Sequence, residues 1–197
     1  MLQPIYLASA SPRRRELLTQ LNVEFLQFSV DADESALPNE TPYEHVARLA
    51  QLKAQTGVAM GYDDRPVLGS DTIVVVNDRV LGKPKNQQDA AQMMALLSGN
   101  THQVMTAISV ATSDLTLTDV VITDVTFRVL SEAEIADYWH SGEPHDKAGG
   151  YGIQGLGGRF VSQLNGSYFA VVGLPLYETE QLLLRFEQAL SLVGTEQ

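Results

Sequence analysis

An acidic residue inside an apolar run is the first candidate for chemistry in this sequence. Asp71 lies between two β-branched or aliphatic stretches, 67–68 and 73–76, a pattern typical of a buried strand. A buried carboxylate is costly unless it is hydrogen-bonded, paired with a cation or bound to a metal. Asp71 is therefore either a strand-end residue that bonds backbone N–H groups in a bend, or a metal-binding or general-base carboxylate.

Basic residues are few, and they are grouped. The chain has 13 Lys and Arg residues against 24 Asp and Glu residues, a formal net charge of −11, which argues against a general nucleic-acid-binding surface. Three cations are nevertheless consecutive at 13–15, and Lys83 and Lys85 flank Pro84. Because local charge governs the binding of a small anion, this grouping predicts an anion site.

The consecutive arginines follow a strand and a serine-bearing turn. Residues 5–8 predict a short buried strand, Ser11 is a helix N-cap, and Pro12 takes the first helical position of a helix that runs over 13–21. The N–H groups and dipole of such a helix start favour a bound phosphate. Three successive residues span about 300° of a helix, so one or two of the arginines at most can face one site. Arg13, in the first turn, is favoured; a solvated helix face is the alternative.

Two further features have an ordinary interpretation when taken alone. The acidic residues of 31–34 are typical of a solvated loop. A capping box over 41–44 predicts a helix on which Lys53 closes an apolar stripe. A lysine in that position more often lays its stem over the core than contacts a ligand.

The remainder of the chain alternates between strands and helices. The patterns predict a hairpin at 77–81, a helix over 86–97, strands at 104–111 and 120–129, a helix over 131–140, a strand at 159–164, a hairpin turn at 165–166 leading into 168–172, and a last helix that Pro175 opens. This alternation predicts an α/β protein with a long, mixed, twisted sheet. With no linker or repeat, residues 1–197 are expected to form a single domain.

Glycines are concentrated near the C-terminal third. Six of the chain's 15 glycines lie within 149–158. Gly150, Gly152 and Gly155 match the spacing of a dinucleotide-binding fingerprint, but no predicted strand precedes them and no helical pattern follows. The better interpretation is a loop whose backbone passes close to a ligand or to another strand.

Several protein classes are disfavoured. No apolar run approaches the roughly 20 residues of a membrane span, and the N-terminus lacks the features of a secretory signal. The chain has no cysteine, which excludes disulfides and thiolate chemistry. P-loop, His-Glu-x-x-His and nucleophile-elbow patterns are absent. The sequence predicts a cytoplasmic protein without a membrane partner.

Motifs along nearly the whole chain resemble the Maf family of nucleoside triphosphate pyrophosphatases. They are Leu-Ala-Ser-Ala-Ser-Pro-Arg-Arg at 7–14, Asp-Ala-Asp-Glu at 31–34, Leu-Ala-x-x-Lys-Ala at 49–54, Gly-Ser-Asp-Thr at 69–72, Gly-Lys-Pro at 82–84, Asp-Lys-Ala-Gly-Gly-Tyr-Gly-Ile-Gln-Gly at 146–155 and Asn-Gly-Ser-Tyr at 165–168. The resemblance implies a fold related to the inosine-triphosphate pyrophosphatases, with two lobes around a central cleft, and a homodimer.

The resemblance is strongest to the branch that acts on dTTP and UTP. It implies hydrolysis of the α–β phosphoanhydride to a monophosphate and pyrophosphate, with Mg²⁺ or Mn²⁺ and no organic cofactor. It assigns catalysis to Asp71 and metal binding to Glu34 together with Asp71. The residues that it implies for substrate binding are Ser9, Arg13, Lys53, Thr72, Lys83 and Gln154.

Two positions depart from the pattern of some family members, and other functions stay open. Gly82 stands where some members have glutamate, and Asp33 where a second glutamate can occur. The alternatives are a 7-methyl-GTP pyrophosphatase of the same family, a non-catalytic regulator of cell division that binds nucleotide, and a nucleic-acid binder. The last is disfavoured by the negative charge.

Overall fold

The computed structural model describes residues 2–193. The strands are β1 (Ile5–Ala8), β2 (Phe25–Phe28), β3 (Val67–Val76), β4 (Arg79–Leu81), β5 (Thr101–Ala111), β6 (Thr116–Phe127) and β7 (Val161–Asn165). The helices are α1 (Pro12–Thr19), α2 (Pro42–Ala59), α3 (Gln87–Leu97), α4 (Glu132–His140), α5 (Tyr168–Val172) and α6 (Leu176–Val193), with short 3-10 helices at Glu143–Asp146, Ala148–Gly150 and Leu156–Phe160.

The strands form one mixed sheet in the order β2-β1-β3-β5-β6-β7, and β4 pairs with β3 off this path. Strand β1 is parallel to both β2 and β3, whereas β3–β4 and β6–β7 are antiparallel. The prediction of an α/β fold with a mixed sheet is thereby confirmed. Among residues 2–193, none of the helices combines the length and apolarity that a membrane crossing requires.

Helix starts lie where side-chain caps predict them. The Ser11 side chain accepts from the backbone N–H of Arg14, and capping boxes at Thr41 and Ser131 are complete in both directions. Asn86 caps α3. These local bonds satisfy N–H groups that the first helical turn leaves unpaired, which is why the cap residues are readable from sequence.

Two local predictions are wrong. The hairpin turn expected at 165–166 is followed by helix α5, because the Ser167 side chain accepts from the Ala170 N–H and caps a helix there. The strand expected over 120–129 ends at Phe127, and Val129 is 78% exposed. The Tyr-Phe-Ala-Val-Val composition favoured a strand at 168–172, but the cap and the surrounding structure override that propensity.

The chain divides into two compact units. The first contains the described residues within 1–71, 106–121 and 173–197; the second contains 72–105 and 122–172. In the first unit Tyr6, Phe28 and Tyr62 form a ring cluster in which Phe28 and Tyr62 stack at 3.8 Å between centroids. The core of the second unit includes Phe127 and Phe160, both fully buried.

Candidate functional site

A close helix–strand contact in the first unit sets the position of Asp71. A Cβ atom at Gly69 on β3 would lie 2.6 Å from the Ala54 nitrogen and would clash with the Ala50 carbonyl oxygen on α2. The missing side chain therefore lets the α2 backbone lie directly against β3. Lys53 belongs to this same turn of α2, and Asp71 follows Gly69 by two residues on β3.

The contact brings one lysine between two carboxylates. Lys53 Nζ lies 2.6 Å from Asp71 Oδ1 and 2.7 Å from Glu34 Oε1. The side chains of Lys53 and Asp71 are only 12% and 10% exposed, whereas that of Glu34 is 59% exposed. The ammonium thus neutralises a carboxylate that burial would otherwise penalise. The Lys53 side chain is largely buried, and its charged end makes a specific contact.

The α1 N-terminus presents Arg14 to the serine turn. Arg14 Nη1 donates to Ser9 Oγ at 3.4 Å, and the backbone N–H of Ser11 donates to the same hydroxyl at 3.2 Å. Ser9 is buried. Burial lowers the pKa of Arg14 from its ordinary value, whereas the charge of Asp71 acts in the opposite direction. Arg14 is therefore a partly desolvated cation within the field of the catalytic candidate.

A backbone carbonyl fixes this arginine. Gly173 O accepts from Arg14 Nε at 2.9 Å and from Ser70 Oγ at 3.1 Å. Ser70 is fully buried next to Asp71 on β3. The carbonyl thus ties the arginine to the strand that carries the carboxylate. Sequence analysis favoured Arg13 and did not identify Arg14, whose side-chain direction the Ser11 cap does not reveal; the binding role of Arg13 stays a prediction.

A second charged cluster holds the loop that carries Glu34. Arg48 on α2 donates to both carboxylate oxygens of Glu40, and its Nη2 also donates to the Ser35 carbonyl at 3.0 Å. His45 Nδ1 lies 2.9 Å from the same Glu40 carboxylate. The hydrogen bond from Arg48 holds the pKa of Glu40 well below its usual range. The loop after Glu34 is therefore anchored by an ionised, bidentate pair that sequence reasoning did not identify.

The other predicted site residues belong to the second unit. Thr72 is half-buried on β3, and Lys83 is exposed just after β4. Gln154 is exposed in a turn between Tyr151 and the 3-10 helix Leu156–Phe160. Tyr151 is buried and its hydroxyl lies 2.8 Å from His102 Nε2, which anchors the start of this turn in the core.

The first-unit cluster has the chemistry of an anion and cation site. It contains two carboxylates, an ammonium and a guanidinium, together with a buried hydroxyl. Among residues 2–193, no group of three or more acidic or histidine side chains could hold a metal ion by itself. A divalent cation at Glu34 and Asp71 would therefore need further oxygen ligands, from water or from a bound phosphate.

Most of the chain is similar to proteins of one family. A family model described as Maf-like protein matches residues 4–186. A dTTP/UTP pyrophosphatase of Pseudoalteromonas translucida is 68% identical over 186 residues, which cover 94% of this chain and 98% of that protein. A dTTP/UTP pyrophosphatase of Shigella sonnei is 57% identical over 182 residues, 92% of each chain. The solved Ham1 protein of Staphylococcus aureus is similar at 15% identity and a TM-score of 0.46, covering 64% of this chain and 72% of that one.

Adding one methyl group at Gly69 should force α2 away from β3 and so destabilise the protein. In Gly69→Ala the new Cβ meets the α2 backbone at Ala50 and Ala54, which cannot rotate away as a side chain could. We expect the free energy of unfolding to fall by about 1–3 kcal/mol, the usual cost of overpacking. Chemical denaturation measures it. Gly82→Ala is the matched control, since a Cβ there meets no atom within 4 Å; equal stability of the two variants would contradict the close-contact argument.

Proposed function

Because this chain belongs to the Maf family, we propose that it is a nucleoside triphosphate pyrophosphatase that hydrolyses dTTP and UTP to the monophosphate and pyrophosphate. The resemblance indicated by the motifs is confirmed at the level of the family. Support for the substrates comes from relatives 57–68% identical to it, which are dTTP/UTP pyrophosphatases. The single structural observation that carries the proposal is the buried Asp71 in contact with Lys53, beside the Ser9–Arg14 turn.

Phosphate binding is assigned to the cations of the first unit. Lys53 and Arg14 are held by buried partners, so little side-chain entropy is lost when they contact a phosphate oxygen. The Ser9 turn and the α1 N-terminus add N–H and hydroxyl donors of the kind that receive phosphates. Arg13 keeps the substrate-binding role implied by the family resemblance, as a neighbour that supplies charge from the first turn of α1.

Water activation is assigned to Asp71. The carboxylate contacts Lys53 and lies within the field of the Arg14 guanidinium, so two cations are at hand beside it. An ionised carboxylate can orient the attacking water and accept its proton. Lys53 is then placed to stabilise the charge that develops on the phosphate as the anhydride breaks.

A divalent cation, Mg²⁺ or Mn²⁺, is assigned to Glu34 and Asp71. Both carboxylates contact Lys53 Nζ, so a hard metal that took the place of the ammonium between them would have two oxygen ligands, and Lys53 would then be available to a phosphate oxygen. Bound there, the metal would polarise phosphate oxygens and lower the pKa of a bound water. Glu34 is the more exposed of the two ligands and is held by the Arg48-anchored loop. No organic cofactor is proposed.

Roles in the second unit are assigned by resemblance and residue chemistry. Lys83 is a phosphate contact, since an exposed ammonium can pair with a phosphate oxygen. Gln154 is the base-reading residue, because an amide both donates and accepts and so matches the O4/N3–H edge shared by thymine and uracil. Thr72 offers a hydroxyl directly after Asp71.

The remaining features of the proposal follow the same resemblance. We propose that residues 1–197 act as one nucleotide pyrophosphatase domain, in the cytoplasm and as a homodimer, with neither a nucleic-acid nor a membrane partner. The net charge of −11 supports the lack of affinity for nucleic acid.

Product analysis tests the proposed reaction. Incubation with dTTP, UTP, ATP, GTP and 7-methyl-GTP in the presence of Mg²⁺ or Mn²⁺ should yield monophosphate and pyrophosphate, with dTTP and UTP cleaved fastest. Nucleoside diphosphate with orthophosphate would instead identify a γ-phosphatase. A preference for 7-methyl-GTP would place the protein in another branch, and binding without turnover would support a regulator.

Replacing the water-activating carboxylate should remove activity without unfolding the protein. In Asp71→Asn the side chain keeps its shape but loses its charge and basicity, so kcat should fall by about 10²–10⁴-fold. Glu34→Gln should lower activity less and raise the Mg²⁺ concentration at half-maximal rate. Asp63→Asn, an exposed carboxylate of the same unit, is the control. Turnover of Asp71→Asn within about threefold of the parent would contradict its proposed role.

The three successive arginines should not be equivalent. Arg14→Lys keeps the charge but loses the planar fork that bonds Gly173 O and Ser9 Oγ through two separate nitrogens, so kcat/KM for UTP should fall by about tenfold or more. Arg15→Lys, on an exposed residue, should change it by less than about twofold. Steady-state kinetics and thermal melting measure both variants. If Arg14→Lys and Arg15→Lys had the same kcat/KM for UTP, the role of Arg14 would be structural only. If Arg13→Lys lost more kcat/KM than Arg14→Lys, Arg13 would be the main contact to the substrate.

A further inference from the structure

The turn that carries Gln154 is held by one carboxylate. Glu143, at the start of a 3-10 helix, accepts from the backbone N–H of Leu156 at 2.8 Å and from that of Gly157 at 3.0 Å. These amides come directly after the Ile153–Gln154–Gly155 turn. Hydrogen bonds from N–H groups to a charged carboxylate are stronger than neutral ones, so this end of the turn is firmly held.

A tyrosine holds the other end of the turn. The Tyr138 hydroxyl accepts from the Gly152 N–H at 3.1 Å and donates to Glu143 Oε1 at 2.7 Å. Tyr138 is fully buried on α4. The residue before the turn and the two residues after it are thus joined through one Tyr138–Glu143 pair, and Gln154 lies between the two attachment points.

The glycines of this loop fit the pair closely. A Cβ at Gly155 would lie 2.6 Å from Glu143 Cδ, and one at Gly157 would lie 2.6 Å from the Tyr138 hydroxyl. Any side chain at either position would push the carboxylate or the phenol away. Gly155, the last glycine of the apparent dinucleotide fingerprint, and Gly157 therefore leave room for the Glu143 and Tyr138 side chains, and neither requires a bound dinucleotide.

The charge state of the pair favours the same arrangement. Burial raises the pKa of Glu143, but the Gly157 and Leu156 N–H groups, the Tyr138 hydroxyl and the Lys147 charge together hold it below its usual value. Burial and the contact with Glu143 raise the pKa of Tyr138. At neutral pH the carboxylate is therefore ionised and the phenol remains a donor.

We infer that Glu143 and Tyr138 are positioning residues that fix the Gln154 turn and thereby set the selectivity for the pyrimidine base. This inference rests on the proposed function, in which Gln154 reads the base edge. Neither residue needs to touch the substrate. A backbone displaced by even about 1 Å can cost on the order of a hundredfold in rate, so the clamp controls selectivity through the placement of one amide.

Amide exchange tests the clamp without any substrate. In Glu143→Gln one charged acceptor is replaced by a neutral amide of similar shape, and the Leu156 and Gly157 N–H groups should exchange at least about tenfold faster by NMR. Glu132→Gln, an exposed carboxylate on α4, is the control and should leave both amides unchanged. Tyr138→Phe, which removes a single hydroxyl, should speed exchange at Gly152. Unchanged protection in both clamp variants would overturn the inference.

Kinetics test the link to base choice. Glu143→Gln should lower kcat/KM for UTP and dTTP by about tenfold and leave that for ATP within about twofold, because ATP does not use the pyrimidine-edge contact. Once Gln154→Ala is present, adding Glu143→Gln should not change the UTP-to-ATP ratio further. Equal loss for all three substrates, or additive effects on the ratio, would reduce Glu143 to a structural residue and overturn the selectivity role.

The amide-exchange experiment and the kinetic experiment together distinguish a failure of this inference from a failure of the proposed function. If the parent protein released no pyrophosphate or showed no preference for UTP over ATP, the proposed function would fail and base selection by the clamp would fail with it. The exchange rates would still decide whether Glu143 holds the turn. If the parent preferred UTP while the Glu143→Gln ratio stayed unchanged, only the inference would fail.

Discussion

The close approach of α2 to β3 at Gly69 is the constraint on which the first-unit site depends. Backbone lies against backbone there, so a lysine on the helix reaches a carboxylate on the strand without stretching. The same approach buries Asp71, which makes a counter-charge necessary. Helix α2 thus covers the Asp71 carboxylate and also provides the lysine that neutralises it.

Anchors outside the site keep its charges in place. The Gly173 carbonyl fixes Arg14, and the Arg48–Glu40 pair fixes the loop that carries Glu34. Each anchor is a partly buried hydrogen bond to a charged group, and such bonds are stronger than exposed ion pairs. Preorganisation of this kind reduces the reorganisation needed when charge develops during a reaction.

Local patterns predicted the parts of the fold that local forces determine. Caps at Ser11, Thr41 and Ser131 marked helix starts, and the apolar run around Asp71 marked β3, because each signal lies within a few residues of what it controls. The wrong hairpin at 165–166 shows the limit, since an aromatic and β-branched pentapeptide became helical once it was capped.

Contacts between distant positions were the part that sequence could not supply. The contact of Arg14 with Ser9 depends on the direction in which α1 faces the Ser9 turn, which spacing alone does not give. The Glu143 carboxylate bonds N–H groups 13 and 14 residues away, and only the unexplained glycines hinted at it. Motif resemblance identified Glu34, Lys53 and Asp71 as a set, and the structure brings these three together.

The balance of charge around Lys53 has a consequence for how a polyanion reaches this protein. The cluster has no formal net charge, because its two carboxylates, Asp71 and Glu34, balance its two cations, Lys53 and Arg14. The whole chain, in contrast, carries a formal net charge of −11. The long-range field therefore repels a triphosphate, and attraction acts only at short distance. Added salt screens the long-range part first. Moderate ionic strength should accordingly speed the arrival of the substrate, the opposite of the salt response of a protein that captures polyanions with a basic surface.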